Sequence, residues 1–195
     1  MPHKFGDHAP WSRLMHEERQ RMLPAAGVLE LLAAAPGSTV VEVGAGIGYI
    51  TLPLALAVGP AGTVIATDVA DEALAHLKAR VEAEGLGHVR LVKNEESRLP
   101  LDSGVADRAL LVDVFHELED PAALLADVHR VLRPGGSILV VDWDPGWTDA
   151  GPPHHERLTR AAAQELLEAA GFGGEPLAFA HPSHWALRGT RPRQR

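Results

Sequence analysis

Two carboxylic acids and a histidine, each placed where a strand should end, are the residues best suited to chemistry in this chain: Glu42, Asp68 and His116. Glu42 interrupts the apolar run Val40-Val41-Glu42-Val43, whose β-branched residues read as a strand buried on both faces of a parallel sheet. A carboxylate there needs a partner, because an unpaired buried charge is costly and is sooner neutralised. A ligand's ammonium group would supply one. The turn Gly44-Ala45-Gly46-Ile47-Gly48 follows, and its glycines let the backbone bend sharply and a ligand approach the main chain more closely than any Cβ permits. Asp68 stands about twenty residues further on, at the end of a second strand, where a carboxylate can take both hydroxyls of a ribose.

Two classes of nucleotide cofactor use a strand, a glycine turn and a helix in this way. Nicotinamide and flavin binders favour G-x-G-x-x-G, which seats a pyrophosphate on the helix N-terminus, whereas this chain has G-x-G-x-G. Asp68 fits either class. Glu42 separates them, since a dinucleotide offers no cation at that depth, while S-adenosylmethionine brings an α-amino group and a sulfonium. Taken alone, the glycine turn also serves as a plain connection between strand and helix.

Five stretches in a fixed order carry a resemblance: V-E-V-G-A-G-I-G-Y from Val41, A-T-D-V from Ala66, E-E-S-R-L-P-L from Glu95, A-D-R-A-L-L-V-D-V-F-H-E-L from Ala106, and R-V-L-R-P-G-G-S-I-L-V-V-D-W from Arg130. Together they resemble the cofactor-binding core of class I S-adenosylmethionine-dependent methyltransferases, in the small single-domain, type 11-like branch. The resemblance implies that Glu42 and the turn Gly44, Ala45 and Gly46 line the methionine end of the cofactor. It places Asp68 on the ribose and Val69 against the adenine. Glu95 stands where the family usually has Asp, near the adenine's exocyclic amine, with Glu96 or a backbone N–H of the same turn as the alternative contact. Asp113 and Val114 match positions where the family often offers main-chain carbonyls. Tyr49 either shields the methyl donor or packs. The product of methyl transfer would be S-adenosylhomocysteine.

The elements that must position these residues alternate as strand and helix. Strands are expected near Thr39 to Val43, Thr63 to Thr67, Val89 to Lys93, Arg108 to Val112, Ser137 to Asp142, Leu177 to Ala180 and His184 to Arg188. A helix over Asp71 to Glu84 opens on acids that suit its dipole and ends at Gly85. Another starts at Pro121 after Asp120 and stops before Pro134-Gly135-Gly136. The expected fold class is α/β: a doubly wound, Rossmann-like seven-stranded sheet, mostly parallel, with an antiparallel C-terminal hairpin strand. One domain over 1–195 is expected, with 1–35 as a helical lid or cap and 39–189 as the Rossmann-like core.

Composition narrows the partners. The net charge of −8, from 18 basic and 26 acidic residues, lacks the basic face that displaces counterions from phosphates, so no nucleic acid is expected. The chain has no cysteine, which removes disulfides, thiolate metal sites and cysteine nucleophiles. No run is long enough to span a bilayer, and a cytoplasmic protein without a membrane partner is expected. His154 and His155 are adjacent rather than one helical turn apart, so no metal is expected. A homodimer stays open.

The acceptor should enter above the carboxyl ends of the first and fourth strands. Trp11, in an N-terminal segment with Phe5, Arg13, Leu14 and Met15, is one candidate wall, and Trp143 with the loop to Pro153 is another. His116 faces the same mouth and is the candidate base and substrate contact, with Glu117 and Asp113 as fallback acids. The expected function is transfer of a methyl group to a small-molecule acceptor by in-line displacement. An NAD-dependent oxidoreductase or a non-catalytic S-adenosylmethionine-binding module is the alternative.

Overall fold

The computed structural model describes residues 17–193. Two short helices, α1 (Glu17–Met22) and α2 (Ala25–Leu32), lead into β1 (Thr39–Val43), α3 (Thr51–Val58), β2 (Thr63–Asp68), α4 (Asp71–Ala83) and β3 (Val89–Lys93). The chain continues through β4 (Ala106–Val112), α5 (Pro121–Val131), β5 (Leu132–Trp143), α6 (Arg160–Ala169), β6 (Gly173–Leu177) and β7 (His184–Thr190). Single turns of 3-10 helix lie at Phe115–Glu117 and His154–Glu156.

The strands form one seven-stranded sheet in the order β3-β2-β1-β4-β5-β7-β6. The five strands from β3 to β5 run parallel, and β7 runs antiparallel to both β5 and β6. Strand alternation divides the core. Val41, Val43, Ile65, Leu111, Ile138 and Val140 face a layer containing Leu124, Val128, Ala163 and Leu167 of α5 and α6. Val40, Val64, Leu110, Leu139 and Val141 face Val28, Leu54, Val58 and Leu77 of α2, α3 and α4. A sheet covered on both faces explains the nearly unbroken apolar runs of its central strands.

Local signals set the helix boundaries. The Asp120 side chain accepts from Ala123 N at 2.9 Å, with Pro121 opening α5, and Thr159 caps α6 by accepting from Ala162 N at 3.1 Å. Two expectations shift. Pro134-Gly135-Gly136 lies inside the span of β5, where the β4 register slips between Ala106 and Arg108, because Gly135 N donates to Arg191 O and Arg191 N donates to Gly136 O, both at 2.9 Å. The sixth strand lies at Gly173–Leu177 rather than Leu177–Ala180. It is the edge of the sheet, where two glycines and Pro176 are tolerated while hiding any strand pattern.

Gly189 in β7 lets the antiparallel strand lie close under α6. An added Cβ would stand 2.9 Å from Ile138 Cγ2, 3.0 Å from Leu167 Cδ2 and 3.1 Å from Phe172 Cβ. Gly189→Ala is therefore expected to cost ~1–3 kcal/mol by overpacking, read as a lower urea midpoint at unchanged m-value.

Candidate active site

The chain reverses direction across the sheet at β1, which lies between β2 and β4, and this switch point opens a crevice at the carboxyl ends of the strands. The glycine turn after β1 is latched to the tip of β2. Gly44 N and Ala45 N both donate to Thr67 O, at 2.9 and 3.0 Å, and Gly46 N donates to Asp68 Oδ2 at 2.8 Å. The other Asp68 oxygen accepts from Ala70 N at 2.9 Å. Gly44 has a φ of +73°, and a Cβ there would stand 2.2 Å from Val114 Cγ2. Glycine at this position thus serves the close contact between the turns that follow β1 and β4. Val69 lies half-buried next to Asp68.

Glu42 is 4 % exposed, and among the described residues its hydrogen-bond donor is Thr51 Oγ1 of α3, which reaches Oε2 at 2.6 Å. Burial pushes the carboxyl up to about 8, against the Thr51 hydrogen bond and with help from the Asp68 charge. Such a group holds a proton at neutral pH until a cation arrives. Asp68 keeps spare acceptor capacity, since each of its oxygens takes a single backbone N–H. A buried carboxyl short of partners beside a strand-end carboxylate with free lone pairs fits the ammonium and ribose ends of S-adenosylmethionine.

At the end of β4, Asp113 sits at a φ of +55°, with its N–H on Val141 O at 3.0 Å. Its carboxylate lies 2.9 Å from Arg19 Nη2 and 3.0 Å from His184 Nε2. Burial alone would raise this carboxyl, but Arg19 and His184 outweigh it and hold Asp113 below the usual range. Arg19 comes from α1 and also stands 5.3 Å over the Tyr49 ring, while the Tyr49 hydroxyl donates to Leu23 O at 2.6 Å. These contacts bind the described part of the N-terminal segment to the crevice. Trp11 and its neighbours lie outside the described residues.

His116 falls in the 3-10 turn after β4 and is buried. Its Nδ1 lies 2.7 Å from Asp142 Oδ1, at the end of β5, and its Nε2 lies 3.6 Å from Glu117 Oε1. Burial lowers the imidazole, but the Asp142 hydrogen bond and the charges of Asp142, Glu117 and Asp113 outweigh it and raise it above the usual range. Burial likewise lifts Glu117 to about 7, opposed by His116 and reinforced by Asp142, Asp113 and Asp68.

The remaining sequence candidates separate. Glu95 is exposed, in a turn closed by hydrogen bonds to Arg98, whereas Glu96 Oε1 accepts from Glu119 N at 2.7 Å. Asn94 donates to Glu95 O at 2.7 Å and leaves its buried Oδ1 without a partner. Trp143 is enclosed: His184 stacks at 4.3 Å, the Arg157 guanidinium stands 5.6 Å over the ring, and a Cβ at Gly151 would come within 2.7 Å of it. Arg157 gathers the following loop by donating to the carbonyls of Asp144, Trp147, Ala150 and Pro152.

Sequence reading missed Arg19, Thr51, Asp142 and His184 as parts of this site. Asp142 carried the same signal as Glu42, an acid breaking an apolar strand near its carboxyl end. Nothing local marks the other three, because each acts across the fold.

A family model described as "Methyltransferase domain" matches residues 41–140. A probable S-adenosylmethionine-dependent methyltransferase of Mycolicibacterium smegmatis is 34% identical, covering 70% of this chain and 52% of its own. Nocamycin O-methyltransferase of Saccharothrix syringae is 32% identical, covering 86% and 58%. The chain thus spans between half and three fifths of the length of these two relatives. The crystal structure of a SAM-dependent methyltransferase from Aquifex aeolicus superposes with a TM-score of 0.87 at 28% identity, covering 92% of this chain and 96% of that one. The family model spans half of the chain and the relatives and the fold agree with it, so the chain belongs to the class I S-adenosylmethionine-dependent methyltransferases.

Proposed function

We propose that this chain transfers a methyl group from S-adenosylmethionine to a small organic acceptor, with His116 as the general base. The observation that carries this reading is Glu42: a buried carboxyl, held protonated by its surroundings, with the Thr51 hydroxyl as its hydrogen-bond partner among the described residues. The α-ammonium of the methyl donor is the cation it lacks, and Asp68 is the acceptor for the two ribose hydroxyls. When bound, the donor supplies an electrophilic methyl carbon on its sulfonium, so the protein's main task is alignment.

Residues of this chain then divide the work. Glu42 and the glycine turn fix the amino-acid end, while Asp68, Val69 and the turn of Glu95 and Glu96 fix the nucleoside. Asp113 and Val114, in the turn after β4, would offer main-chain carbonyls to the donor. The likeness to an O-methyltransferase supports a small-molecule acceptor. A single domain with its N-terminal segment as a cap, and a cytoplasmic location, remain part of this proposal.

Calorimetry with S-adenosylhomocysteine and with NAD tests the cofactor, and binding of NAD in preference would remove the reading. Asp68→Ala removes two charge-assisted hydrogen bonds and is expected to weaken S-adenosylhomocysteine about 100-fold or more. The ionisation of Glu42 gives a second readout. Because its carboxyl is raised to about 8, it is protonated at pH 7 and must lose that proton to meet an ammonium. Titrations at pH 7 in buffers of different ionisation enthalpy should therefore report a proton released on binding, and Glu42→Gln should abolish the release. His116→Ala is expected to slow turnover about 100-fold in a metabolite screen for methyl transfer, with cofactor affinity within about threefold of the parent. Full turnover would eliminate His116 as the base.

A further inference from the structure

Resting on the reading above, we infer that Asp142 is the positioning residue that fixes the His116 ring with its Nε2 lone pair towards the crevice, and that the acceptor is an uncharged hydroxyl compound whose proton passes to that nitrogen.

The geometry around Asp142 leaves one arrangement of protons. Its Oδ1 accepts from Trp143 N at 2.7 Å and its Oδ2 accepts from His116 N at 3.1 Å, so both oxygens already act as acceptors towards the main chain. The remaining neighbour, His116 Nδ1 at 2.7 Å from Oδ1, must then be a donor. In the neutral ring this places the lone pair on Nε2. Asp142 also grips the backbone and the ring of one residue together, which fixes the side chain as a rigid unit with the strand end. Asp142 is 1 % exposed, and both of its oxygens are engaged by the protein.

Charge around the ring selects the acceptor. The groups facing His116 are Asp142 from the end of β5, Glu117 from its own turn and Asp113 from the end of β4. The Arg19 guanidinium is committed to Asp113, which also takes the His184 ring nitrogen. An anionic acceptor would meet the Asp142 carboxylate and, once ionised, Glu117, with the Arg19 guanidinium already paired. A neutral amine attacks a sulfonium methyl without prior deprotonation, so a buried imidazole backed by a carboxylate adds little to its rate. A hydroxyl or an acidic carbon is a poor nucleophile until its proton leaves and gains most from this pair, and the likeness to an O-methyltransferase over 86% of the chain favours the hydroxyl. In the transfer, the acceptor oxygen bonds to the methyl carbon as the carbon–sulfur bond breaks and its electron pair stays on sulfur. The acceptor proton moves to His116 Nε2, and the imidazolium formed lies between Asp142 and Glu117 before losing that proton to water.

Two measurements test this. Nitrogen-15 NMR of the histidine rings in the unliganded protein, titrated from pH 5 to 10, should show His116 as the Nδ1–H tautomer in its neutral form and titrating above the ordinary imidazole range. A neutral ring protonated on Nε2 overturns the positioning role whatever the acceptor proves to be. Methyl transfer from S-adenosylmethionine is then measured against matched phenol, alcohol and aniline probes. Transfer to a hydroxyl probe is expected. In Asp142→Asn, kcat on that probe should fall about 100-fold, KM and S-adenosylhomocysteine affinity should stay within about threefold, and the alkaline rise of kcat should move to lower pH. Asp142→Glu should recover part of the rate. Parent-like kcat and pH profile in Asp142→Asn overturns the positioning role, and transfer confined to anilines, or to no probe while the cofactor binds, overturns the hydroxyl class. Failure of S-adenosylhomocysteine to bind the parent protein sinks the methyltransferase reading itself, a result distinct from these.

Discussion

Four neighbouring strands each deliver an acid to the same rim of the sheet: Asp68 closes β2, Glu42 lies one residue from the end of β1, Asp113 follows β4 and Asp142 stands one residue before the end of β5. Negative charges gathered in a crevice repel one another and lose their water, so each must be neutralised, paired or given donors. How each acid is treated decides the layout of everything around it. Asp68 takes two backbone N–H groups, Asp113 takes a guanidinium and an imidazole, and Asp142 takes a ring nitrogen and two main-chain donors. Glu42 receives one hydroxyl and stays protonated. The acid left least satisfied by the protein is a buried one at the end of β1, which is what a site for a cationic ligand requires.

The satisfied acids also hold the fold together around the crevice. Asp113 draws Arg19 of α1 and His184 of β7 to one point, joining segments at opposite ends of the sequence. Ser183 Oγ lies 2.7 Å from His184 Nδ1 and 2.8 Å from His181 Nδ1, extending the same network into the turn before β7. A positive φ at Asp113 is the strain accepted to aim this carboxylate. Glu96 works similarly on the other side, its bond to Glu119 N tying the turn after β3 to the segment after β4.

Most of the fold was legible because its central strands are buried on both faces and their apolar runs are nearly unbroken, as in Val40 to Val43 and Ile138 to Val141. The sixth strand was misplaced because an edge strand made of Gly173, Gly174 and Pro176 has no pattern to read. In the site, Glu42 and Asp68 were legible as acids in apolar surroundings with fixed spacing from a glycine turn. Arg19 and His184 were not, because their roles arise from a contact with Asp113 that only the sheet order creates. Trp143 shows the reverse limit: its type suggested an open wall, yet His184, Arg157 and Gly151 enclose it.

The loop after β5 owes its form to one guanidinium holding four carbonyl oxygens, those of Asp144, Trp147, Ala150 and Pro152. Carbonyls belong to every residue type, so the side chains between these anchor points are free to change without unmaking the loop, provided Arg157 and the small residue at 151 persist. A loop built in this manner can change the chemical character of its surface while keeping its path.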